Sequence, residues 1–291
     1  MTLTIKKPTS LTELAAFLST QNSSDLSHIG YCGEDKFEIT DALQDEFSNS
    51  PALESFYVAY QDGVIVAALG FDIDEDFSEA DVWGPFCMDH DLNMAQLLWD
   101  RLLGEFSSIT SFSFFVNNKN LFAKTFIEFN HGLPDSTQHV YLLRRTEQPT
   151  PSASLNSQSI TDHLHESFVA FHNQIFPQTY FDGETILKRI NQNNSLFVVS
   201  DYNDSVTGYV YTETNPMHGE GTIEYIAVHH DYRHCGYGER LLRSALTHHF
   251  HHPDIRTIEL CTASDNKPAN HLVRSLGFTL KYELTSYTLS K

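Results

Sequence analysis

The residues best suited to chemistry lie in the second half of the chain, where a β-type run passes into a helix-type pattern. The run ends at Val228, a short polar loop follows, and Arg233, Gly236 and Gly238 lead directly into an amphipathic helix. Glycines let the backbone come close to a ligand, while the free N–H groups and the positive dipole end of a helix attract an anion. This segment therefore predicts an anion site, and a pyrophosphate is the obvious candidate.

A second patterned segment follows the next β-type run. Its fixed positions are Asn266, Ala269, Leu272, Gly277 and Phe278. Together the two segments resemble the GNAT acetyltransferase family, whose first motif is Q/R-x-x-G-x-G/A between a strand and a helix. The second family motif usually reads N-x-x-A-x-x-[LF]-Y-x-x-x-G-F. The resemblance covers residues 159–291 and rests on two motifs in the right order with matching elements around them.

The resemblance implies a fold, a co-substrate and a binding site. The fold is α+β, a mostly antiparallel twisted sheet flanked by helices, and the co-substrate is acetyl-CoA. Main-chain amides of the loop are expected to hold the coenzyme A pyrophosphate, and the end of the preceding strand is expected to pair with the pantetheine arm. The predicted binding residues are Ile226, Ala227, Val228, Arg233, His234, Cys235, Gly236, Tyr237, Gly238 and Asn266.

Two residues are predicted to take part in catalysis. An amine with a pKa near 10.4 is protonated at pH 7, so a base or a water chain must release its lone pair. Glu224 on the strand is the first candidate for that base, and alternation predicts that Ile223 and Tyr225 face the other way. A carboxylate that only binds substrate or faces solvent is the alternative. The resemblance assigns stabilisation of the oxyanion to a main-chain N–H near Val228.

The sequence departs from the family pattern at one catalytic position. Val273 stands where the family frequently has a general-acid tyrosine. A thiol with a pKa near 8.5 leaves readily as a thiolate, so the departure does not remove the predicted activity. Tyr225, Tyr282 and Tyr287 are candidates for the missing donor, and the sequence does not rank them.

The same order of elements occurs in both halves of the chain, which predicts an internal duplication. Asn120, Ala123 and Phe126 recur as Asn266, Ala269 and Leu272 at one constant offset. The predicted division is a degenerate GNAT-like domain at 1–146, a linker at 147–158 and a GNAT acetyltransferase domain at 159–291. The final strands, 139–143 and 286–289, are expected to close the first and second copies respectively.

The first copy is expected to have lost coenzyme binding. Residues 87–98, at the position of the phosphate loop, contain no glycine and include Asp89 and Asp91. Acidic side chains at that place would repel a pyrophosphate.

Composition limits the partners and the compartment. The formal charge of −20 argues against a nucleic-acid partner and fits a cationic small-molecule acceptor, although an acidic surface also serves solubility. The four scattered cysteines show no metal-ligand spacing, so reduced thiols are expected and no metal is predicted. No apolar run is long enough for a membrane span, and a cytoplasmic location is the expectation.

Two further segments allow more than one interpretation. Phe176, Tyr180 and Phe181 lie where the family builds its acceptor site, and they line that cleft or pack in the core. The histidine-rich segment 247–252 lacks the Glu or Cys pattern of a metal site.

The predicted function is therefore an N-acyltransferase that moves an acetyl group from acetyl-CoA to a primary amine by direct attack in a ternary complex. The alternative is a non-catalytic acyl-CoA-binding or regulatory module. The sequence leaves the oligomeric state open.

Overall fold

The computed structural model describes residues 3–47, 50–147, 158–177 and 179–291. Most of the predicted linker at 147–158 lies outside the described residues. The elements are, in chain order, β1 Leu3–Lys6, α1 Leu11–Asn22, α2 Lys36–Asp41, α3 Ala52–Ser55, β2 Phe56–Gln61, β3 Val64–Asp74, β4 Glu79–Cys87, α4 Leu92–Glu105, β5 Ser111–Asn117, α5 Leu121–Phe129, β6 Leu133–Arg144, β7 Gln158–Ser159, α6 His165–Ile175, α7 Gly183–Arg189, β8 Asn194–Ser200, β9 Val206–Asn215, β10 Glu220–Val228, α8 Tyr237–His251, β11 Thr257–Ala263, α9 Lys267–Ser275 and β12 Thr279–Ser290.

The chain forms two compact units. Unit 1 comprises Met1–Gln138 and Tyr282–Lys291, and unit 2 comprises His139–Lys281. The strand order is β1-β2-β3-β4-β5-β12 in unit 1 and β6-β11-β10-β9-β8-β7 in unit 2. Pairing is parallel between β4 and β5 and between β10 and β11, and antiparallel between β2, β3 and β4 and between β8, β9 and β10. The predicted α+β class with mostly antiparallel sheets is therefore confirmed.

Unit 1 is built around an aromatic core. Helix α4 places Leu98, Trp99 and Leu102 on one buried face, at the spacing of an amphipathic helix. The Trp99 ring meets Phe112 at a centroid distance of 4.9 Å and Phe71 at 5.2 Å, both in the tilted or edge-on arrangements that aromatic rings prefer. These contacts join α4 to the sheet.

The last strand of the chain completes unit 1. Leu284–Ser290 of β12 pairs antiparallel with Ser111–Asn117 of β5, and Tyr287 and Leu289 belong to the unit 1 core. In unit 2, β6 takes the place beside β11, where its residues Tyr141 and Leu143 pack in the core.

The prediction that 139–143 closes the first copy and 286–289 the second is therefore wrong. Both strands have β-type residues and an apolar face, so their sequences are compatible with pairing at the edge of either sheet. The periodicity of a strand specifies which of its faces is buried, and it does not specify which neighbour the strand pairs with.

The unit 2 sheet is covered by helices on both faces, and β10 contributes to both. Ile223, Ile226 and Val228 pack in the cluster that contains the α8 and α9 side chains. Tyr225 and Ala227 pack in the other cluster, which contains side chains from α6 and α7. We call these the α8/α9 face and the α6/α7 face.

Both units repeat one series of elements, with β2, β3, β4, α4, β5 and α5 corresponding to β8, β9, β10, α8, β11 and α9. The recurring asparagine is a helix cap in each. Asn120 Oδ1 accepts the N–H of Ala123 at 3.0 Å, and Asn266 Oδ1 accepts the N–H of Ala269 at 3.2 Å. Among the helices of the described residues, none is long and apolar enough to cross a bilayer.

Candidate active site

A β-bulge interrupts β10 at Glu224. Ile223 lies opposite Thr212 of β9 and Tyr225 lies opposite Tyr211, so Glu224 is the extra residue. Ile223 packs on the α8/α9 face, whereas Tyr225 packs on the α6/α7 face. The carboxylate of Glu224 interacts electrostatically with groups on the α6/α7 face as well. The prediction that Tyr225 faces away from Glu224 is therefore wrong, because the bulge breaks the alternation on which it depended.

The Glu224 side chain is exposed on β10, and protein atoms nonetheless crowd around its carboxyl group. Desolvation by the surrounding protein raises its pKa to about 7, the negative charge of Glu213 also raises it, and the positive charge of Arg189 opposes the shift. A carboxyl group with a pKa near neutral pH is suited to accept a proton and release it again. Perturbed carboxyl groups of this kind are typical of functional sites.

Beyond the bulge, β10 and β11 separate. Their parallel pairing runs from Glu220 opposite Thr257 to Ile223 opposite Leu260. Strand β10 continues to Val228 and β11 continues to Ala263 beyond this pairing. The separation begins at the bulge. After Glu224, one main-chain edge of β10 is therefore not paired with β11 and faces the gap between the two strands.

Main-chain groups of Ile226 and Val228 are directed into this gap. The N–H of His229 donates to the carbonyl of Thr207 at 2.8 Å, so this opposed pair is hydrogen-bonded across β9 and β10. In an antiparallel pair, successive residues turn their N–H and C=O groups alternately toward the partner and away from it. Ala227 therefore directs its groups to β9, and Ile226 and Val228 direct theirs to the gap.

The loop before α8 has the backbone of an anion-binding turn. His234 and Gly236 have positive φ angles, +62° and +80°, and Gly236 is the N-cap residue of α8. Because Gly236 has no side chain, nothing from the N-cap residue covers the first amides of the helix. A Cβ atom placed on Gly236 would meet no atom within 4 Å, so the position opens outward. Turns of alternating backbone handedness and uncapped helix starts both favour anions.

Gly238 has a different role from Gly236. A Cβ atom at Gly238 would lie 3.0 Å from Leu272 Cδ2 on α9, closer than ordinary van der Waals contact. The glycine therefore permits close packing of α8 on α9.

Arg233 lies beside the end of β10, where its Nε donates to the Val228 carbonyl at 3.1 Å. The remaining predicted loop residues, His234, Cys235 and Tyr237, lie within the same turn and the first residue of α8.

The side chains at the second motif point to structural roles. Asn266 caps α9, as described above, and Val273 is buried in the core of the α8/α9 face. Val273 therefore replaces an ionisable group with a packing residue. Tyr282 and Tyr287 both belong to unit 1, where Tyr282 stacks on His28 and donates to Glu34 at 2.9 Å. Among the three tyrosines proposed as donors, Tyr225 is the one that lies in unit 2.

The segment between α6 and α7 is hydrogen-bonded to the sheet and to α6 around Phe181. The N–H of Phe181 donates to the Tyr225 hydroxyl at 3.3 Å, and Thr179 Oγ1 lies 2.8 Å from the same hydroxyl. The carbonyl of Phe181 accepts from Nε2 of His172 at 2.8 Å. His172 Nδ1 lies 2.6 Å from the Tyr209 hydroxyl, and in a neutral imidazole that donates from Nε2 this nitrogen accepts the hydroxyl proton. Desolvation lowers the pKa of His172, consistent with the neutral form.

An ion pair next to Glu224 was not found by sequence reasoning. Arg189 at the end of α7 forms a two-point contact with Glu213 of β9, with Nε–Oε1 and Nη2–Oε2 distances of 3.0 Å each. Neither residue belongs to a motif, and they are brought together by the packing of α7 on the sheet. In the sequence, only the opposite charges of Arg189 and Glu213 hinted at a contact. Charge alone does not show which of many acidic residues an arginine will pair with.

The corresponding places in unit 1 differ in chemistry. The extra residue of β4 falls at Gly84–Pro85, between the pairs Gly70–Trp83 and Ala68–Phe86, so no carboxylate occupies that bulge. The start of α4 is capped by the carboxylate of Asp91, which accepts the N–H groups of Asn93 and Met94. An internal anion thus occupies the position where α8 is open.

Two groups of neighbouring histidines lie in unit 2. Within the described residues, His229, His230 and Asp231 place potential metal-ligand atoms within 4.8 Å of one another, on consecutive positions of the loop. In the segment 247–252, His248 and His252 have ring centroids 5.3 Å apart, and buried His249 contacts Thr212 and Thr214.

Unit 2 has the signature of a known family. The family model described as Acetyltransferase (GNAT) family matches residues 158–278, which contain the bulge, the loop and both motifs. Residues 158–278 are therefore similar to the GNAT family.

The complete chain has the fold of tandem GNAT proteins. A GNAT-type N-acetyltransferase from Sphaerobacter thermophilus has a TM-score of 0.76 at 13% identity, covering 99% of this chain and 95% of that chain. A tandem GNAT protein from the clavulanic acid biosynthesis pathway has a TM-score of 0.63 at 15% identity, covering 99% and 98%. A GNAT-family acetyltransferase from Colwellia psychrerythraea has a TM-score of 0.55 at 15% identity, covering 99% and 100%. A comparison with curated protein sequences gave no match.

Proposed function

We propose that this protein transfers an acetyl group from acetyl-CoA to a primary amine by direct attack in a ternary complex. The observation that carries the proposal is the position of Glu224, a carboxyl group with a raised pKa at the bulge where β10 separates from β11. The uncapped start of α8 supports it, because amides there can hold the coenzyme diphosphate.

In the proposed reaction the groups of unit 2 divide coenzyme binding and catalysis among them. Main-chain groups of Ile226 and Val228 bind the pantetheine arm in the gap beside β10, and the amides from Arg233 to Gly238 bind the diphosphate. Glu224 accepts a proton from the ammonium group, directly or through one water, and the free amine forms the new C–N bond. The Val228 N–H donates to the carbonyl oxygen as that oxygen gains charge. The C–S bond breaks to release a thiolate, and Tyr225 is the proposed proton donor to it.

The proposed acceptor is a small cationic molecule that binds on the α6/α7 face. Glu224 and Glu213 place carboxylates there, and Phe176 packs on Tyr225 with centroids 5.4 Å apart, which supplies an aromatic wall. Ammonium groups are attracted to both kinds of surface. We propose a cytoplasmic location, and the four free cysteines fit a reducing compartment.

The test is acetyl-CoA-dependent thiol release measured against a panel of primary amines. We expect Glu224→Gln to lower kcat/KM by about 100-fold, the usual contribution of a general base, with acetyl-CoA affinity unchanged by calorimetry. Glu259→Gln, on the neighbouring strand, is the matched control and should keep the wild-type rate. The wild-type rate should rise with pH through about 7, because Glu224 must be deprotonated to act.

Two outcomes would contradict the proposal in different ways. Acetyl-CoA binding without thiol release for any amine would favour a non-catalytic acyl-CoA-binding module. Full activity of the Glu224→Gln variant would leave the transfer reaction in place and remove Glu224 from it.

A further inference from the structure

We infer that Arg189 and Glu213 form a positioning pair for Glu224, which fixes the charge that the proposed base experiences on the α6/α7 face. The inference rests on the proposed function, since it assigns these two residues to the same site. Neither residue contacts a reacting atom in this scheme, and both act through Glu224.

The pair is held in one geometry from several sides. Beyond the two-point contact of the guanidinium with the carboxylate, the Tyr211 hydroxyl donates to Glu213 Oε1 at 2.5 Å. The guanidinium carbon of Arg189 lies 4.2 Å from the ring centroid of Phe181, the residue whose backbone is fastened at both its N–H and its carbonyl. The Arg189 guanidinium is already held by the aromatic ring and the two-point carboxylate contact. Its side chain therefore loses little conformational entropy when its charge acts on Glu224.

The strand register places this pair beside Glu224. Glu213 lies directly opposite Thr222 of β10, and Glu224 is two residues farther along β10. Glu224 interacts electrostatically with Glu213 and Arg189, and Tyr211, which donates to Glu213, packs on the α6/α7 face. Diagonal neighbours on one face of an antiparallel pair lie within reach of each other when their side chains are long. The β-bulge therefore brings the carboxyl of Glu224 into the field of the pair.

The two charges act on Glu224 with opposite sign. The negative charge of Glu213 raises the pKa of Glu224 and the positive charge of Arg189 lowers it, while desolvation supplies the largest part of the rise. An intact pair largely cancels its own field, so removing one member leaves the other unbalanced. The other titratable groups that face Glu224 or its bulge neighbour are Tyr211 on β9, Tyr225 on β10, Glu259 and Cys261 on β11 and the neutral His172 on α6.

The experiment compares Glu213→Gln with Arg189→Gln. We expect Glu213→Gln to move the acidic limb of the kcat/KM profile to lower pH, because Arg189 then acts alone on Glu224. Arg189→Gln should move the same limb to higher pH, and each shift should be about 0.5 pH unit or more. The double variant should return the limb toward the wild-type position. Arg189→Lys retains the charge and should keep the limb near that of the wild type.

A matched control removes the basic member of another ion pair in unit 2. Arg243 Nε lies 2.9 Å from Glu239 Oε1 on helix α8, so Arg243→Gln makes a comparable change away from the α6/α7 face and should leave the limb in place. Circular dichroism and melting temperature verify that each variant is folded. Shifts in the same direction for Glu213→Gln and Arg189→Gln, or no shift in either, overturn the inference.

A second measurement separates this inference from the proposed function. Carbon-detected NMR titration of the labelled Glu224 carboxyl follows the same pKa without any turnover. If the wild type releases no thiol but the two titrations move in opposite directions, the proposed reaction fails and the coupling of the pair to Glu224 stands. If turnover occurs and the titrations do not separate, the pair has only a structural role.

Discussion

Two glycines of the same motif serve different purposes at the level of the single residue. Gly236 has a positive φ angle and opens outward, whereas Gly238 allows α8 to approach Leu272. A test of ligand binding that replaces both would mix loss of the anion site with loss of helix packing. Gly236 is therefore the position at which the anion site can be tested separately.

An acidic side chain at position 236 should close the predicted diphosphate site. We expect Gly236→Asp to weaken coenzyme A binding at least about tenfold, because its carboxylate competes for the amides at the start of α8 and repels the diphosphate. Gly236→Asn is the matched control, since asparagine has the same shape and tolerates a positive φ angle. Isothermal titration with coenzyme A measures both. Equal affinity of the aspartate and asparagine variants would contradict an anion site at this turn.

The candidate base could be identified from its residue type and its place in the strand, but its orientation could not. Alternation predicts that Glu224 and Tyr225 occupy opposite faces, but the bulge removes that alternation, and Glu224 interacts with Glu213 and Arg189 on the face where Tyr225 packs. A bulge depends on how many residues the neighbouring strand offers, so β10 alone does not reveal it. The same limit applies to Arg189 and Glu213, which meet through packing of a helix on a sheet.

At the scale of elements, equivalent helices of the two units begin in opposite ways. Helix α4 starts at Asp91, whose carboxylate satisfies two main-chain N–H groups, at 2.9 Å for Asn93 and 3.3 Å for Met94. Helix α8 starts at Gly236 with no side-chain cap. A capped helix is stabilised by its own residue, whereas an open one retains donors for a ligand. The same element thus has a structural use in unit 1 and a predicted binding use in unit 2.

Removal of the α4 cap should destabilise unit 1 without affecting ligand binding. We expect Asp91→Ala to cost about 1 kcal/mol of unfolding free energy, the usual value for a lost N-cap. Asp91→Asn keeps a cap oxygen and should cost less. Chemical denaturation of the two variants measures the difference, and coenzyme A affinity should equal that of the wild type in both. A loss of coenzyme affinity in Asp91→Ala would show that unit 1 contributes to binding.

At the scale of the whole molecule, the order of elements along the chain does not follow the division into units. The strand after α5 packs in unit 2, and the strand after α9 completes unit 1. Each unit therefore depends on a strand from a distant part of the sequence. A change in the last ten residues should be detected in unit 1.

Leu289→Ala provides that test. Leu289 is buried in the unit 1 core opposite Phe112 of β5, and its truncation should cost about 2 to 3 kcal/mol. Amide hydrogen exchange should accelerate in β5 more than in β10 or β11. Leu280→Ala, on an exposed position of the same strand, is the matched control and should change little. Faster exchange confined to β10 and β11 would contradict the assignment of β12 to unit 1.

The sequence by itself determined the repeated series of elements, the GNAT resemblance of the second half and the location of the loop before α8. These features depend on residue type and short spacing, which act locally. Only the tertiary structure decided which strand completes each sheet, which side of β10 carries Glu224, and that Arg189 and Glu213 lie beside it. Each of these depends on partners far apart in the chain, and local periodicity carries no information about which partner an edge or a charge will meet.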